Sequence, residues 1–270
     1  MIKHKRCLIF GFAGSIGEEL TRQLAKHNKI YGVDLDETRM FDLVEELNIK
    51  GRIGNIEDSV TIEEVFQEFK PDIVFHCAAR KHVTPNEFYP LEAIRTNIIG
   101  THNIIKCCQK YEVNLINIST DKVVNGESIM GLSKKIAEKM VKNANYISVR
   151  FGNVMGSRGS VLPIWQRQID TDQPITVTDP KMERYMMTIP EACELVIQAA
   201  EKANRGEIWI MDMGKKVNIM ELARNILGKA DRSYPIDIIG SRPGETLTEK
   251  LMTAEEEQQA THNGKFWVLK

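Results

Sequence analysis

The chain has 270 residues, of which 42% are hydrophobic and 27% charged, and these values exclude a disordered or fibrous chain. Its 36 Lys and Arg residues nearly balance 37 Asp and Glu residues, so the net charge is -1. This balance argues against non-specific binding to nucleic acid and leaves only a local basic patch open.

The first 150 residues alternate short apolar runs with helical patterns. The apolar runs predict strands at residues 6–11, 30–33, 52–53, 71–76, 114–119 and 146–150. The periodic segments predict helices at residues 16–27, 38–47, 59–69, 91–111 and 133–143. Strands that are apolar throughout and separated by helices indicate a parallel sheet covered on both faces.

After about residue 155 this alternation loosens, and Gly, Pro and Thr become frequent up to Pro190. Helices are predicted at residues 190–203 and 219–227, with a strand at 206–211 between them. This part is interpreted as a smaller lobe, inserted and appended beside the sheet.

No membrane partner is expected, because the longest apolar runs fall far short of the roughly 18 residues of a membrane span. The apolar stretch near the N-terminus ends at Gly11 and is too short for a signal peptide. Five cysteines without a Cys-x-x-Cys spacing predict reduced thiols in a cytoplasmic protein, with neither disulfides nor a metal site.

A glycine pattern closes the first predicted strand and opens the first helix. Gly11, Gly14 and Gly17 have the spacing G-x-x-G-x-x-G, which lets a backbone turn sharply and approach a pyrophosphate at a helix N-terminus. Asp34 ends the second strand, where a carboxylate accepts hydrogen bonds from ribose hydroxyls and repels a 2′-phosphate. The fold predicted is therefore α/β, a Rossmann-type doubly wound parallel sheet with a smaller C-terminal lobe. NAD is favoured over NADP, although the nearby Arg39 weakens that preference, and an ordinary glycine-rich turn is the alternative.

Several further motifs carry a family resemblance. They are Ala78-Ala79, Lys81-His82-Val83, Thr96-Asn97, Ser119-Thr120-Asp121-Lys122, Arg150-Phe-Gly-Asn153-Val, Gly156-Ser-Arg-Gly-Ser-Val161, Arg184-Tyr-Met-Met-Thr-Ile-Pro190 and Ser241-Arg-Pro-Gly-Glu245. With the glycine pattern they resemble the extended short-chain dehydrogenase/reductases, and more narrowly the 4,6-dehydratases of UDP-N-acetylglucosamine in polysaccharide and flagellin-glycan biosynthesis. The resemblance covers most of the chain.

The resemblance implies a role for each residue around Ser-Thr-Asp-Lys. Asp121 is the acid that protonates the departing C6 hydroxyl, and Lys122 is the base that removes the C5 proton. Lys122 would need a lowered pKa, from burial or from the charge of Lys134 and the oxidised nicotinamide. Thr120 would hydrogen-bond the C4 hydroxyl, and Lys134 would hold the nicotinamide ribose. The alternatives are a solvated Asp-Lys pair and an ordinary helix lysine.

The chain departs from the family pattern at Met130. Four residues before Lys134 most members have a tyrosine that takes the C4 hydroxyl proton, and a thioether cannot act as a base. The sequence therefore resembles a methionine-for-tyrosine subgroup, in which Asp121 or a water held by Thr120 would accept that proton. The cycle would then stop early or give another product, such as a 5,6-unsaturated sugar nucleotide.

The resemblance also implies two sets of binding residues and a division of the chain at residue 155. Residues 1–155 would bind NAD(P), and residues 156–270 would form mainly the substrate-binding lobe, with some segments returning to the main sheet. The cofactor set is Gly11, Ala13, Gly14, Ser15, Ile16, Gly17, Asp34, Asn55, Ile56, Ala78, Ala79, Lys81, Asn97 and Lys134. The substrate set is Lys81, Asn153, Arg158, Arg184, Arg242 and Glu245.

Within the substrate set, Arg242 would contact the diphosphate and Glu245 the uridine ribose, while Asn153 would contact the diphosphate or the uracil-side loop. In the cofactor set Asn55 replaces a common Asp that faces the adenine amino group. For each arginine a solvated surface position is the alternative.

The function expected from this resemblance is dehydration of UDP-N-acetylglucosamine or a related nucleotide sugar for a bacterial surface glycan or nonulosonic acid, with or without inversion at C5. A sugar-nucleotide 4-epimerase and a non-catalytic dinucleotide-binding protein are the alternatives. Relatives assemble through helices like 91–111 and 133–143, so a homo-oligomer is also expected.

Overall fold

A computed structural model describes residues 2–124, 126–229 and 234–270. The strands, in chain order, are β1 Arg6–Phe10, β2 Lys29–Asp34, β3 Lys50–Ile53, β4 Ile73–His76, β5 Asn114–Thr120, β6 Ile147–Phe151, β7 Asn153–Val154, β8 Ile175–Val177, β9 Glu183–Arg184, β10 Met186–Met187, β11 Ile208–Met211, β12 Val217–Asn218, β13 Ile236–Ile238, β14 Thr261–Asn263 and β15 Phe266–Leu269.

The helices alternate with these strands over the first half of the chain. They are α1 Ser15–Ala25, α2 Glu37–Leu47, α3 Ser59–Phe69, α4 Val83–Phe88, α5 Pro90–Ala93, α6 Thr101–Lys110, α7 Ile129–Asn143, α8 Val161–Asp170, α9 Ile189–Lys202, α10 Ile219–Lys229 and α11 Ala254–Gln259. A π-helical segment, Ile94–Gly100, joins α5 to α6, and a 3-10 turn, Asp121–Val123, follows β5.

The main sheet has the strand order β14-β15-β11-β6-β5-β4-β1-β2-β3, and the seven strands from β11 to β3 are parallel. Alternate side chains of β1 enter cores on opposite faces, Cys7 and Ile9 on one and Leu8 and Phe10 on the other. A strand buried on both faces must be apolar throughout, which is why these segments show no alternation. The predicted α/β fold with a doubly wound parallel sheet is confirmed.

The strand order reverses at β1, which pairs with β2 on one side and with β4 on the other. The chain therefore leaves β1 and β4 in opposite directions, and a crevice opens at their carboxyl ends. Ligands of open α/β sheets bind in such crevices.

The C-terminal part contributes to two cores. Trp165, Ile175, Met182 and Ile219 belong to a small cluster of its own. In contrast, β11 and β15 extend the main sheet, and Cys193 and its neighbours on α9 pack into the main core with α1. The division at residue 155 stays a prediction.

The predicted helix at residues 91–111 is wrong in one respect, because the π-helical segment interrupts it. The wider turns allow the adjacent Thr96 and Asn97 to point inward together, where Thr96 donates to Glu57 and Asn97 to Arg80. The helix predicted from Ser133 begins at Ile129, because Ser128 caps it by accepting the N–H of Gly131.

The other predicted elements agree with the structure within two residues at each end. Sequence patterns missed elements that are short or lie beyond the alternating part: α4, α8, α11, the strands β7 to β10, β12 and β13, and the hairpin of β14 and β15. All five cysteines are free thiols, as predicted. Within the described residues, none of the helices combines the length and apolar character needed to cross a membrane.

Candidate functional site

The glycine-loop cavity lies at the carboxyl ends of β1, β2 and β4. Of the predicted cofactor residues it is lined by Gly11, Ala13, Gly14, Asp34, Asn55, Ile56, Ala78 and Ala79. A Cβ on Gly11 would lie 2.5 Å from the backbone N of Ala78, and one on Gly17 would lie 2.1 Å from the carbonyl O of Gly11. Gly11 also has a φ of 78°, so both positions require glycine.

Helix α1 starts at Ser15 without a side-chain cap on its N-cap residue, Gly14. Its first-turn N–H groups, those of Ser15, Ile16 and Gly17, are therefore open to an anion. Asp34 connects this loop to β2, since Oδ2 accepts the N–H of Ala13 at 2.9 Å and Oδ1 that of Leu35 at 2.7 Å.

Asn97 and Lys134 do not line the glycine-loop cavity. Asn97 is buried, and its amide accepts the N–H of Arg80 at 2.8 Å and donates to Ser133 at 2.9 Å. The amide therefore supports the Arg80 loop, and a contact of Asn97 with the cofactor stays a prediction. Lys134 donates to the carbonyl O of Ile118 at 2.6 Å, and burial lowers its pKa to about 8.

Arg158 was expected beside the substrate, but the structure places it at the glycine-loop cavity. Its guanidinium donates to the carbonyl O of Ala13, and its backbone N–H donates to Oγ of Ser15 at 3.0 Å. Lys81 holds the same loop through the carbonyl O of Arg158 at 2.7 Å. The loop at residues 156–160 therefore covers the start of α1. The residues next to Arg158 in sequence give no sign of this packing, so the prediction missed it.

The acid–base cavity is a second cavity, of about 560 Å³, within the range of small-ligand sites. Seven predicted residues line it: Lys81, Asp121, Lys122, Asn153, Arg184, Arg242 and Glu245. It continues into an apolar pocket beside Trp165, Met182 and Ile219. The structure thus brings the predicted acid, the predicted base and most predicted substrate residues to one cavity.

Asp121 and Lys122 occupy the 3-10 turn that follows β5. Nζ of Lys122 lies 3.1 Å from Oδ1 of Asp121, and the Thr120 hydroxyl donates to the same oxygen at 3.0 Å. Oδ2 of Asp121 is buried and has no hydrogen-bond partner among the residues that the structure describes. A solvated surface pair is therefore excluded for Asp121, since its side chain is fully buried.

Sequence reasoning missed Glu249, a buried residue between the Arg-Pro-Gly-Glu segment and α11. Its Oε1 lies 2.9 Å from Nζ of Lys122, and its Oε2 accepts Nδ2 of Asn153 at 2.9 Å. The Nε of Arg184 lies 3.4 Å from Oε1. No local pattern marks a single glutamate between Thr248 and Lys250, because its partners are distant in sequence.

These contacts set the protonation of the cluster. Burial, followed by the charge of Glu249, raises the pKa of Asp121 to about 6 against the opposing charge of Lys122. Burial alone would raise the pKa of Glu249, but Lys122 and Arg184 lower it to about 2. Burial alone would lower the pKa of Lys122, but Asp121 and Glu249 raise it. The predicted lowering for Lys122 is therefore wrong, because two carboxylates contact its amine.

Two predicted substrate residues instead hold protein groups. The guanidinium of Arg184 donates to the carbonyl O of Thr246 at 2.7 Å and of Glu183 at 2.8 Å, so it fixes the segment that carries Glu249. The amide of Asn153 lies between Lys122 and Glu249. Both line the cavity with their polar groups engaged by the protein, and their contact with the substrate stays a prediction.

Arg242 and Glu245 agree better with the expectation. Glu245 accepts the backbone N–H of Arg242 at 3.0 Å, which closes a turn at the cavity rim. The Arg242 residue is exposed and lines both the acid–base cavity and its apolar extension. Met130 is buried in the first turn of α7.

Comparisons with known proteins agree with this architecture. The profile of the family described as polysaccharide biosynthesis protein matches residues 7–270. The capsular polysaccharide biosynthesis protein CapD of Staphylococcus aureus is 42% identical over 276 residues, which cover 94% of this chain and 46% of CapD. The chain thus spans about half the length of such relatives. A UDP-glucose 4-epimerase of Rickettsia bellii is 34% identical and is covered to 84%, over 100% of this chain.

Among solved structures, Pen from Bacillus thuringiensis superposes with a TM-score of 0.95 at 34% identity, over 99% of this chain and 89% of Pen. The Thermus thermophilus UDP-glucose 4-epimerase, solved with NAD, has a TM-score of 0.82 at 21% identity over 94% of this chain and 92% of its own, and it supports the fold alone. The fold is that of the extended short-chain dehydrogenase/reductases, and the chain belongs to the polysaccharide biosynthesis protein family.

Proposed function

We propose that this chain is a 4,6-dehydratase of UDP-N-acetylglucosamine that serves the synthesis of a bacterial surface glycan or nonulosonic acid. The observation that carries the proposal is the 3.1 Å contact of Asp121 and Lys122 at the wall of the acid–base cavity. Eliminating water from C5 and C6 requires an acid and a base at one edge of a hexose. Membership of the family supports the place in polysaccharide synthesis.

NAD is the cofactor we propose. The bare turn at Gly11 and Gly17 and the uncapped start of α1 suit a pyrophosphate, and Asp34 suits the ribose hydroxyls. The charge of Asp34 disfavours a 2′-phosphate. When bound, the nicotinamide supplies the hydride chemistry at C4. Lys134 of α7, with its pKa of about 8, would hold the nicotinamide ribose while it donates to the carbonyl O of Ile118 on β5.

Asp121 and Lys122 divide the proton transfers. In the resting cluster the proton resides on Lys122, and its transfer across the 3.1 Å contact gives a neutral amine and a carboxylic acid. Nζ of Lys122 then takes the proton from C5, and the electron pair enters the enolate of the C4 ketone. The pair then forms the C5–C6 double bond as the C6–O bond breaks. Asp121 gives its proton to the departing oxygen, which leaves as water.

Oxidation at C4 also releases a hydroxyl proton, and the thioether of Met130 cannot accept it. Because Asp121 already carries the proton that it received from Lys122, we assign this proton to a water on Thr120, which passes it to solvent; the Thr120 hydroxyl contacts Asp121 at 3.0 Å. The final hydride decides the product. Its return to C6 gives the 4-keto-6-deoxy sugar, with either configuration at C5, and its return to C4 gives the 5,6-unsaturated sugar nucleotide.

A 4-epimerase is the second candidate, because a relative named as one covers the whole chain at 34% identity. Epimerisation needs no acid at C6, however, so it leaves the burial of Asp121 beside Lys122 without a use. A non-catalytic dinucleotide-binding protein leaves the same pair without a use.

The test is incubation of the NAD-loaded protein with UDP-N-acetylglucosamine, followed by mass spectrometry and NMR. A product lighter by one water supports the dehydratase, and NMR then separates the 4-keto sugar from the 5,6-unsaturated one. An isomer of unchanged mass supports the epimerase. Unchanged substrate with cofactor still bound supports the non-catalytic protein.

The predicted homo-oligomer stays part of this proposal. Ile94 and Ile99 of the π-helical segment and Leu132 and Ile136 of α7 are exposed apolar side chains. They lie on the two helices through which assembly is expected, and sedimentation of the protein would measure the oligomeric state.

A further inference from the structure

Glu249 stands out because its carboxylate is buried in the wall of a cavity. Its side chain is 6% exposed, yet the residue lines the acid–base cavity beside Asp121 and Lys122. Both carboxylate oxygens have partners, since Oε1 faces Lys122 and Arg184 and Oε2 faces Asn153. A buried carboxylate is costly unless such partners compensate it.

The partners of Glu249 have different contacts. Lys122 bridges two carboxylates, with Nζ 3.1 Å from Asp121 and 2.9 Å from Glu249, so its amine has little freedom to rotate away. Arg184 and Asn153 hold Glu249 from its other sides. Arg184 is itself fixed by the backbone of residues 246 and 247. Glu249 is therefore the rigid support against which the amine is placed.

We propose that Glu249 is a positioning residue of the acid–base pair: its carboxylate fixes the amine of Lys122 beside Asp121 and supplies the counter-charge when Lys122 takes the C5 proton. The inference rests on the proposed function. In that step the C5–H bond breaks, its proton passes to Nζ, and the electron pair enters the enolate of the C4 ketone. An ammonium forms at Nζ, and Glu249 faces it at contact distance.

The charges that face Lys122 come from three elements: Asp121 from its own turn, Glu249 from the segment before α11, and Arg184 of β9 behind Glu249. The other charged or titratable groups on the cavity wall are Lys81, His82, Glu127, Arg242, Glu245 and Lys250. Glu249 is the second carboxylate in contact with Nζ, so its removal should change the titration of Lys122 more than removal of any of these.

The test isolates the base step. The NAD-loaded enzyme is given UDP-4-keto-6-deoxy-N-acetylglucosamine in deuterated water, and NMR follows exchange of the C5 proton across a pH series. This exchange needs the base and the C4 ketone but neither the acid at C6 nor a hydride. In Glu249→Gln, the pH of half-maximal exchange should fall by about 1 to 3 units, the usual effect of one contacting opposite charge. The maximal rate should also fall, because the amide holds the amine less firmly.

Two further variants complete the design. Glu207→Gln is the matched control, since Glu207 is a buried glutamate that pairs with Asn204 and Trp209 away from the cavity, and it should keep the wild-type profile. Glu249→Asp keeps the charge with a shorter reach, so its half-maximal pH should stay close to wild type while the rate falls. If Glu249→Gln does not fold, the exchange rate and half-maximal pH of Glu249→Asp test the proposal in its place.

The outcomes separate the two proposals. If wild type exchanges and Glu249→Gln shows an unchanged profile and rate, the role of Glu249 is refuted and the dehydratase proposal stands. If Glu249→Asp displaces the profile to lower pH although its charge is kept, the counter-charge role is also refuted. If wild type itself exchanges no C5 proton, the proposed base chemistry fails first.

Discussion

The two cavities of this protein are built in different ways. The glycine-loop cavity is formed mainly by turns that directly follow β1, β2, β3 and β4, with Thr96 and Arg158 added, so most of its residues sit at positions fixed by their own strands. The acid–base cavity combines the turn after β5 with β7, β9 and the segment before α11, and Asn153 meets Glu249 across 96 positions of sequence. The first is therefore encoded locally, while the second exists only when the C-terminal part is folded onto the sheet.

The largest effect on turnover is expected for substitutions of Asp121 and Lys122. Asp121→Asn removes the acid with little change of shape, and turnover of UDP-N-acetylglucosamine should fall by about 10² to 10⁴-fold. Lys122→Ala should lower it as far, whereas Lys139→Ala, on the exposed side of α7, should not. Steady-state kinetics measure this, and full turnover of either pair variant would remove the proposed chemistry.

Asp121→Asn should also change the pH dependence of stability. A carboxyl whose folded pKa of about 6 exceeds its unfolded value of roughly 3.9 destabilises the fold progressively as the pH rises between these values. The variant should therefore gain about 1 to 3 kcal/mol over wild type in free energy of unfolding above pH 6, and the gain should vanish below pH 4. Urea denaturation at several pH values gives the comparison, and a gain that grows toward acid pH would contradict the assignment.

Arg150 connects the main sheet to the C-terminal segment around α11. Its substitution should show how far the attachment of this segment depends on the contacts of one side chain. From β6 it pairs with Glu138 at 2.6 Å and with Glu256 at 2.8 Å, and it donates to the carbonyl O of Leu251 at 2.9 Å. Arg150→Met leaves buried Glu138 unpaired and should cost about 3 to 5 kcal/mol of unfolding free energy.

The control for Arg150 is Arg95→Met, which breaks an exposed pair with Glu92 and should cost less than about 1 kcal/mol. Denaturation curves compare the two variants. Equal losses would mean that the Arg150 network does not hold the C-terminal segment on the sheet.

Two alanine substitutions in the glycine loop test how closely its backbone is packed. Gly17→Ala places a Cβ 2.1 Å from the carbonyl O of Gly11, whereas Gly14→Ala places one 3.1 Å from the same atom. The first should lower the free energy of unfolding by about 1 to 3 kcal/mol, because the backbone must move to relieve the overlap. The second should cost less, and thermal melting with and without NAD distinguishes them.

The smallest effect is expected on cofactor choice. Asp34→Ser removes the carboxylate that is expected to accept the ribose hydroxyls, and NAD affinity should fall about tenfold, as for loss of a hydrogen bond to a charged group. NADP affinity should rise, because a repulsive charge is lost. Calorimetric titration with NAD and with NADP measures both affinities. An unchanged ratio of the NAD affinity to the NADP affinity would mean that Asp34 does not select the cofactor.

The contrast between the cavities also explains what sequence could predict. The parallel sheet, the glycine loop, Asp34 and the Asp121-Lys122 pair follow from local patterns, because each lies directly after an apolar strand. Sequence could not predict that Arg158 lies at the glycine-loop cavity or that Asn97 supports the Arg80 loop, because a side chain's neighbours depend on how loops pack over the sheet. The contact of Glu249 with Lys122, and the part of the raised pKa of Lys122 that Glu249 causes, arise only from contacts that tertiary folding creates.

The most direct measurement is to run the NAD-loaded enzyme on UDP-N-acetylglucosamine in deuterated water and to examine C5 of the recovered sugar by NMR. We predict a sugar that has lost water and whose C5 hydrogen has been removed or replaced by deuterium. A product that keeps its original C5 hydrogen and all its oxygen atoms would contradict the account.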